Sequence, residues 1–147
     1  MRHRSGAVLS LIAAAPLLLG AVEADGEVSA TVTGLRSSKG QVVACLTTRP
    51  DTFPDCERDP QARALKTPAA PTVTLDFGRV PSGHYAIAVF HDENGNGRLD
   101  KRLIIPREGY GFSRDAPVMM GPPRFTRAAF ATSGAEHHET IRMRYIF

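Results

Sequence analysis

Tyr85-Ala86-Ile87-Ala88-Val89-Phe90 is the most apolar strand-like stretch of the chain, and it decides the predicted fold. A continuous run of this kind, rich in β-branched and aromatic residues, predicts a central strand that is buried on both faces. Shorter runs on either side of it alternate apolar and polar residues, which is the period of half-buried strands. These runs cover residues 27–34, 41–48, 72–77 and 139–147.

The segments between these runs are rich in turn-forming residues. The turn at 37–40 predicts that the first two runs pair as a hairpin. Residues 49–71 predict a long irregular excursion with one helical turn over 61–65, whereas residues 103–121 predict a loop with short extended pieces. Residues 125–131 predict a strand or a short bend. The whole pattern predicts an all-β, antiparallel sandwich of about seven strands, immunoglobulin-like or prealbumin-like, with a small barrel as the alternative.

The first residues have the composition of an export signal. Met1-Arg2-His3-Arg4 is a short basic segment, residues 7–22 are apolar, and Val22-Glu23-Ala24 offers compact residues at the positions that a signal peptidase reads. The apolar run is about sixteen residues long, shorter than the roughly twenty that a membrane-spanning helix needs. We therefore expect a cleavable signal peptide over residues 1–24.

The mature chain is expected to be a single domain over residues 25–147, without a transmembrane segment and located in the periplasm or secreted. The formal charge of the whole chain is +3. Removal of the signal peptide takes two arginines and one glutamate away, so the mature domain is close to neutral. It has no dense stripe of lysine and arginine with interleaved aromatics, and nucleic-acid binding is therefore not supported.

Cys45 and Cys56 are the two cysteines of the chain. An even number in an oxidising compartment predicts a disulfide, which would tie the proline-containing loop between them to the strand of Cys45. The alternatives are a redox pair or a thiolate metal site. The spacing is far from Cys-x-x-Cys, and two thiolates alone make a poor zinc site, so the structural disulfide is favoured.

The segment from His91 to Asp100, His-Asp-Glu-Asn-Gly-Asn-Gly-Arg-Leu-Asp, carries a candidate calcium site. Its Asp-x-Asn-x-Asn-Gly pattern is typical of the opening of a calcium loop, because side chains at alternate positions point inward and the glycine permits a sharp turn. Calcium takes six to eight oxygen ligands. The candidate ligands are the side chains of Asp92, Asn94, Asn96 and Asp100 and the carbonyl oxygen of Arg98.

The calcium pattern is incomplete. The twelfth position is Leu103, where an EF-hand has a bidentate glutamate, and Lys101 and Arg102 add positive charge nearby. Any calcium site is therefore expected to be weak, with a dissociation constant on the order of 0.1–1 mM, and Glu108 is a further candidate ligand. The alternative is a metal-free turn in which Asn and Asp side chains cap their own backbone.

Other residues suggest chemistry less strongly. His91 beside Asp92 could act as a general base, but no Ser or Cys nucleophile accompanies it in a recognisable motif, and a turn or surface histidine is the alternative. The aromatics within 107–113 predict either a binding lip or side chains tucked over a sheet edge. Met119 and Met120 are expected to fill the core rather than to bind copper.

Three segments together resemble the exported bacterial proteins of the domain of unknown function 2141 family. Residues 83–97, Gly-His-Tyr-Ala-Ile-Ala-Val-Phe-His-Asp-Glu-Asn-Gly-Asn-Gly, resemble its signature. Residues 106–113, Pro-Arg-Glu-Gly-Tyr-Gly-Phe-Ser, and residues 121–130 are similar to its later segments. The resemblance implies a periplasmic or secreted β-sandwich and implies no particular activity.

Three functions remain open. A rigid β scaffold with its unusual residues in adjacent loops favours a non-catalytic binding module, with the loops after Phe90 contacting a protein or an envelope ligand. The second function is a small hydrolase that uses His91 with Asp92 or Glu108. The third is a purely structural envelope component. An enzyme is the less favoured reading.

Overall fold

The computed structural model describes Gly20 and residues 24–147. The predicted signal peptide lies almost entirely outside these described residues. Within them, no helix has the length and hydropathy that crossing a membrane requires. The strands are β1 Gly26–Thr33, β2 Gln41–Thr47, β3 Arg63–Pro68, β4 Thr72–Val80, β5 Gly83–Asp92, β6 Lys101–Arg102, β7 Ile105–Pro106, β8 Gly109–Phe112, β9 Phe130–Thr132 and β10 His137–Arg142, and the helix is α1 Phe125–Ala128.

Two sheets carry the fold. One has the strand order β10-β1-β4 and the other the order β3-β2-β5-β8, with β9 paired to the first residues of β5. β1 and β10 run parallel, whereas the remaining pairs of these sheets are antiparallel. The predicted hairpin of the first two strands is wrong, because β1 and β2 lie in different sheets. Their connection over residues 34–40 is longer than a tight hairpin turn and carries the chain from one sheet to the other.

Apolar side chains from both sheets meet in one core, as the alternating runs predicted. Each half-buried strand turns one row of side chains inward, and the two rows pack face to face. This arrangement confirms the predicted all-β class with mainly antiparallel sheets. The core residues include Val28, Ala30, Val32, Val42, Ala44, Leu46, Val73, Leu75, Phe77, Ile87, Val89 and Ile141.

β5 is central and buried on both faces, which confirms its prediction. It pairs with β2 on one side and β8 on the other. Its Ala86 and Ala88 point away from the main core into a second apolar cluster with Phe112. Phe53 covers this cluster, packing edge-to-face on Phe112 with ring centroids 5.7 Å apart. The outer face of the sheet is therefore closed by irregular chain rather than by a third sheet.

The predicted disulfide between Cys45 and Cys56 is present, with Cys45 on β2 and Cys56 in a short 3-10 helix, Cys56–Arg58. It holds residues 48–62 against the sheet. The predicted helical turn over 61–65 is wrong, because β3 begins at Arg63 and pairs along β2. Strand pairing at that free edge of β2 outweighs the local preference of the segment.

Candidate functional site

One end of the five-stranded sheet gathers three segments that are distant in sequence. Residues 34–40 precede β2, residues 93–108 follow β5, and residues 143–147 follow β10. We call them together the loop end. Every candidate calcium ligand and every candidate catalytic residue predicted from the sequence lies at this end or directly beneath it.

Asp92, the last residue of β5, is fully buried beneath the loop. Its Oδ1 accepts a hydrogen bond from the N–H of Asn96 at 3.0 Å. Its Oδ2 accepts from the N–H of Gly97 and from Gln41 Nε2, both at 2.7 Å. Burial acts to raise the pKa of Asp92, but these hydrogen bonds favour the ionised form and hold that pKa below its usual range. Asp92 is therefore an ionised carboxylate that shapes the loop backbone.

Glu108 supports the same loop from the next segment. It is 5% exposed, and its two carboxylate oxygens accept from two separate backbone groups. Oε1 accepts from the N–H of Glu93 at 2.9 Å, and Oε2 accepts from the N–H of Asp100 at 3.0 Å. Glu108 thus clamps both ends of the loop over residues 93–100.

The amide side chains of the loop also bond within it. Asn94 Oδ1 accepts from the N–H of Asn96 at 3.0 Å, and Asn96 Oδ1 accepts from the N–H of Arg98 at 2.8 Å. Both amide nitrogens donate to Asp100, with Asn96 Nδ2 3.1 Å from Asp100 Oδ1. Gly97 has the positive φ, 78°, that the sharp turn requires. The predicted ligand residues are therefore gathered in one loop, where most of their oxygens contact N–H groups.

The donor set fits calcium only in part. Within residues 24–147, no group of three or more His, Cys, Asp or Glu side chains is arranged to hold a metal ion. Asn94 and Asn96 present amide nitrogens to Asp100, so an ion there would require both amides to turn their oxygens inward. Such a rotation about the terminal torsion is permitted sterically for Asn. The set is rich in neutral oxygens and poor in charge.

His91 is fully buried and is not a turn or surface histidine. Its Nε2 lies 2.7 Å from the carbonyl oxygen of Lys39, and its Nδ1 lies 2.8 Å from Tyr145 Oη. Since a carbonyl can only accept, Nε2 carries a proton and donates to Lys39, while Nδ1 shares a hydrogen bond with the tyrosine hydroxyl. Both ring nitrogens therefore join segments of the loop end to one another.

Arg36 and Tyr145 also belong to this site, although no sequence motif indicated them. Arg36 Nε and Nη2 donate to the two carboxylate oxygens of Glu93, each at 2.8 Å. The same guanidinium lies 4.5 Å from the centroid of the Tyr145 ring. Arg36 lowers the pKa of Glu93 by this paired contact. These residues are far apart in the chain, and no local motif links them.

The aromatics of β8 are tucked inward and do not form a binding lip. Tyr110 and Phe112 are both 6% exposed. On the opposite face of β8, a Cβ on Gly109 would lie 2.4 Å from the Tyr145 ring, and one on Gly111 would lie 2.6 Å from Ile141 Cγ2. The alternation of glycine and aromatic residues therefore lets the segment around β10 press directly on the backbone of β8.

Open clefts lie at both ends of the sheets, and the two described below are not lined by His91, Asp92 or Glu108. One, of about 370 Å³, lies at the loop end against Arg102, Arg107 and Phe147. The other, of about 650 Å³, lies at the opposite end of the sheets. Its lining includes His84, Arg114, Phe130, His137 and Glu139. The proposed hydrolase residues therefore serve the loop rather than either cleft.

Comparison with known proteins assigns a family. The model of the DUF2141 family, described as an uncharacterized protein conserved in bacteria, matches residues 30–140. The chain belongs to this family, as its resemblance to the signature predicted. None of the curated proteins and none of the solved structures matches the chain. The matched region runs from β1 into β10 and includes most of the loop end.

Proposed function

We propose that this chain is an exported, non-catalytic binding module with an immunoglobulin-like or prealbumin-like sandwich, and that the loop end is its contact face. One observation carries the proposal. The buried carboxylates of Asp92 and Glu108 direct their hydrogen bonds at the backbone of the loop over residues 93–100. They therefore support the shape of an exposed surface rather than face a substrate.

The energetic cost of burying the carboxylates of Asp92 and Glu108 indicates that the conformation of the loop has a function. A buried carboxylate is unfavourable unless hydrogen bonds compensate for its lost hydration. Asp92 and Glu108 are compensated only when the loop adopts this conformation, and His91 adds a third buried polar group beneath it. A surface held in one conformation loses less entropy when it binds a partner. The exposed residues above these supports are Asn94, Gly95, Asn96 and Arg98.

Export is supported by two independent features. The composition of residues 1–24 is that of a secretory signal peptide. The disulfide between Cys45 and Cys56 suits an oxidising compartment such as the periplasm or the cell exterior. We therefore place the mature domain in the periplasm or outside the cell, where millimolar calcium is available to a weak site.

We further propose that calcium stiffens the contact face. Asp92, Asn94, Asn96 and Asp100 follow the alternation of a calcium loop, and Asp100 faces both asparagine side chains. An ion would replace the amide contacts to Asp100 with ion–oxygen contacts. The loop backbone already curls in the required sense, because Asp92 accepts from the N–H groups of Asn96 and Gly97.

Calorimetric titration of the chain from residue 25 with calcium tests this proposal. We expect saturable heat with a dissociation constant on the order of 0.1–1 mM. At about 10 mM calcium the unfolding midpoint should rise by several degrees, since a bound ion stabilises only the folded chain. Asp100→Asn removes one of the two carboxylates, Asp92 and Asp100, of the calcium pattern and should abolish both effects.

The matched control is Asp51→Asn. It neutralises a carboxylate at the other end of the sheet whose side chain is 64% exposed, and it should leave the titration unchanged. Absence of heat and of any midpoint shift at millimolar calcium would contradict the ion site. That result, with no binding by the loop end to envelope components, would favour a purely structural envelope role.

A further inference from the structure

A short hairpin projects from the loop end and carries an apolar tip. It consists of β6 and β7, and its turn holds Leu103 and Ile104, which are 93% and 90% exposed. The base of the hairpin is fixed, because the N–H of Arg107 donates to the carbonyl oxygen of Asp100 at 2.8 Å. Asp100 is in turn held by Glu108. The apolar tip is therefore carried on the supported loop.

Neither the backbone conformation nor packing within the chain explains why residue 103 is a leucine. Its φ is 58°, in the left-handed region where a turn ordinarily has Asn, Asp or Gly. A leucine there is conformationally unfavourable, and its side chain gains almost no burial within the chain. The side chain of Ile104 likewise gains almost no burial within the chain. A contact outside the chain would compensate both residues.

Cations surround the base of this tip. Lys101, Arg102 and Arg107 are exposed, and none of them forms a salt bridge within residues 24–147. Arg102 and Arg107 also flank a cleft beside Phe147, whose side chain is 59% exposed. Two aliphatic side chains at the tip, with cations set back from it, match the order of acyl chains and phosphates at an anionic bilayer surface.

We propose that the β6–β7 hairpin inserts Leu103 and Ile104 into the boundary between headgroups and acyl chains of a membrane that contains anionic phospholipids. Lys101, Arg102 and Arg107 then contact lipid phosphates. The inference deepens the proposed function and rests on it for the exported location and the contact face. A bilayer is favoured over a protein, because two projecting side chains are far fewer than the residues of a stable protein interface.

Vesicle co-sedimentation tests the proposal. The chain from residue 25 is mixed, in EDTA, with vesicles of phosphatidylcholine alone or of phosphatidylcholine with phosphatidylglycerol. We expect sedimentation with the phosphatidylglycerol vesicles, weakened by high salt, and little with phosphatidylcholine alone. The double variant Leu103→Asn/Ile104→Ser should bind about tenfold more weakly or worse, because it removes the buried apolar area.

Two further variants separate apolar insertion from charge. Lys101→Gln/Arg102→Gln/Arg107→Gln should weaken binding about tenfold or more and remove its salt dependence. Met119→Ser/Met120→Ser changes a second pair of exposed apolar residues, 86% and 104% exposed and not flanked directly by cations, and should bind as the wild type does. The Asn substitution suits the turn at residue 103, so the thermal midpoint of that variant should not fall.

Two results would overturn the proposal. One is a wild-type chain that stays in the supernatant with phosphatidylglycerol vesicles. The other is equal binding by the wild type and by the Leu103→Asn/Ile104→Ser variant. Because EDTA removes calcium from this assay, a failed calcium titration leaves the vesicle result unaffected. Conversely, a failed vesicle assay does not affect the calcium titration, which tests the contact face separately.

Discussion

Residues 48–62 leave the five-stranded sheet at one end, residues 93–108 leave it at the other, and the two excursions are held by different chemistry. The first is joined to β2 by the disulfide and buries Phe53 against an apolar cluster. The second has neither support, and the carboxylates of Asp92 and Glu108 hold its backbone instead. Irregular backbone is thus fastened covalently and by apolar packing at one end, and by charge at the other.

The difference determines what each excursion tolerates. A disulfide and packed aromatics respond to reductant and to lost volume, whereas carboxylates that accept N–H groups respond to protonation. The division is not complete, since Asp59 in the first excursion accepts from Thr47 Oγ1 at 2.5 Å and from the N–H of Gln61 at 2.9 Å. The loop end nevertheless depends on more carboxylates and on no covalent link.

The largest expected effect is that of Asp92→Ala. The change leaves Gln41 and two loop N–H groups without their acceptor beneath the loop. We expect the free energy of unfolding, measured in urea, to fall by about 3 kcal/mol. Asp51→Ala, which removes an exposed carboxylate paired with Arg49, should leave the free energy of unfolding close to that of the wild type. Similar losses in both variants would show that burial of Asp92 is not what matters.

The disulfide should contribute slightly less. The variant Cys45→Ala/Cys56→Ala removes a crosslink between two residues that are 11 positions apart in the sequence. We expect a loss of about 2–3 kcal/mol in the free energy of unfolding. Hydrogen exchange should speed up over residues 48–62 and remain unchanged over residues 93–108. Equal acceleration in both excursions would mean that they are not held independently.

Acidification should produce the smallest effect, and mainly at the loop end. The folded pKa of Asp92 lies below its usual value of about 4, so its stabilising effect is complete above that value. The effect is lost as the pH falls through the lower, folded pKa. The difference in unfolding free energy between the wild type and Asp92→Asn should therefore be constant from pH 7 to about 5 and shrink as the pH falls below about 4. A constant difference throughout would refute ionisation as the source.

Local patterns predicted the class of fold and the strands β1, β2, β4 and β5, because alternation and continuous apolar runs report which sides of a strand are buried. They missed β3, and the strand predicted over residues 139–147 ends at Arg142. They did not predict pairing, and the expected hairpin of β1 with β2 was wrong. The pairing of β1 with β10 depends on residues such as Ser29 and His138, which are 109 positions apart. The contact of Arg36 with Glu93 was missed for the same reason, since the two are 57 positions apart.

The loop over residues 93–100 was found from the sequence together with Asp92 and Glu108, but their contacts with Gln41 and Arg36 were not. A calcium loop and a self-capped turn both place Asp and Asn oxygens inward, so one pattern serves both. The choice between a calcium loop and a self-capped turn depends on contacts with backbone N–H groups. These groups are present whatever the side chains are, so the pattern of side chains does not reveal the choice. Met119 and Met120 were wrongly expected in the core, because Val118 takes the place against the outer apolar cluster and leaves both methionines in solvent.

The parallel pairing of β1 with β10 has a consequence for how the molecule folds. β1 lies between β4 and β10, so the three-stranded sheet is complete only after almost the whole domain has been synthesised. Contacts over such sequence separations form late and slowly, because the intervening chain must first be ordered. A nascent chain that stops before residue 137 therefore lacks the edge strand that brings Ile141 into the core. Such a chain is therefore expected to stay open until β10 has been added.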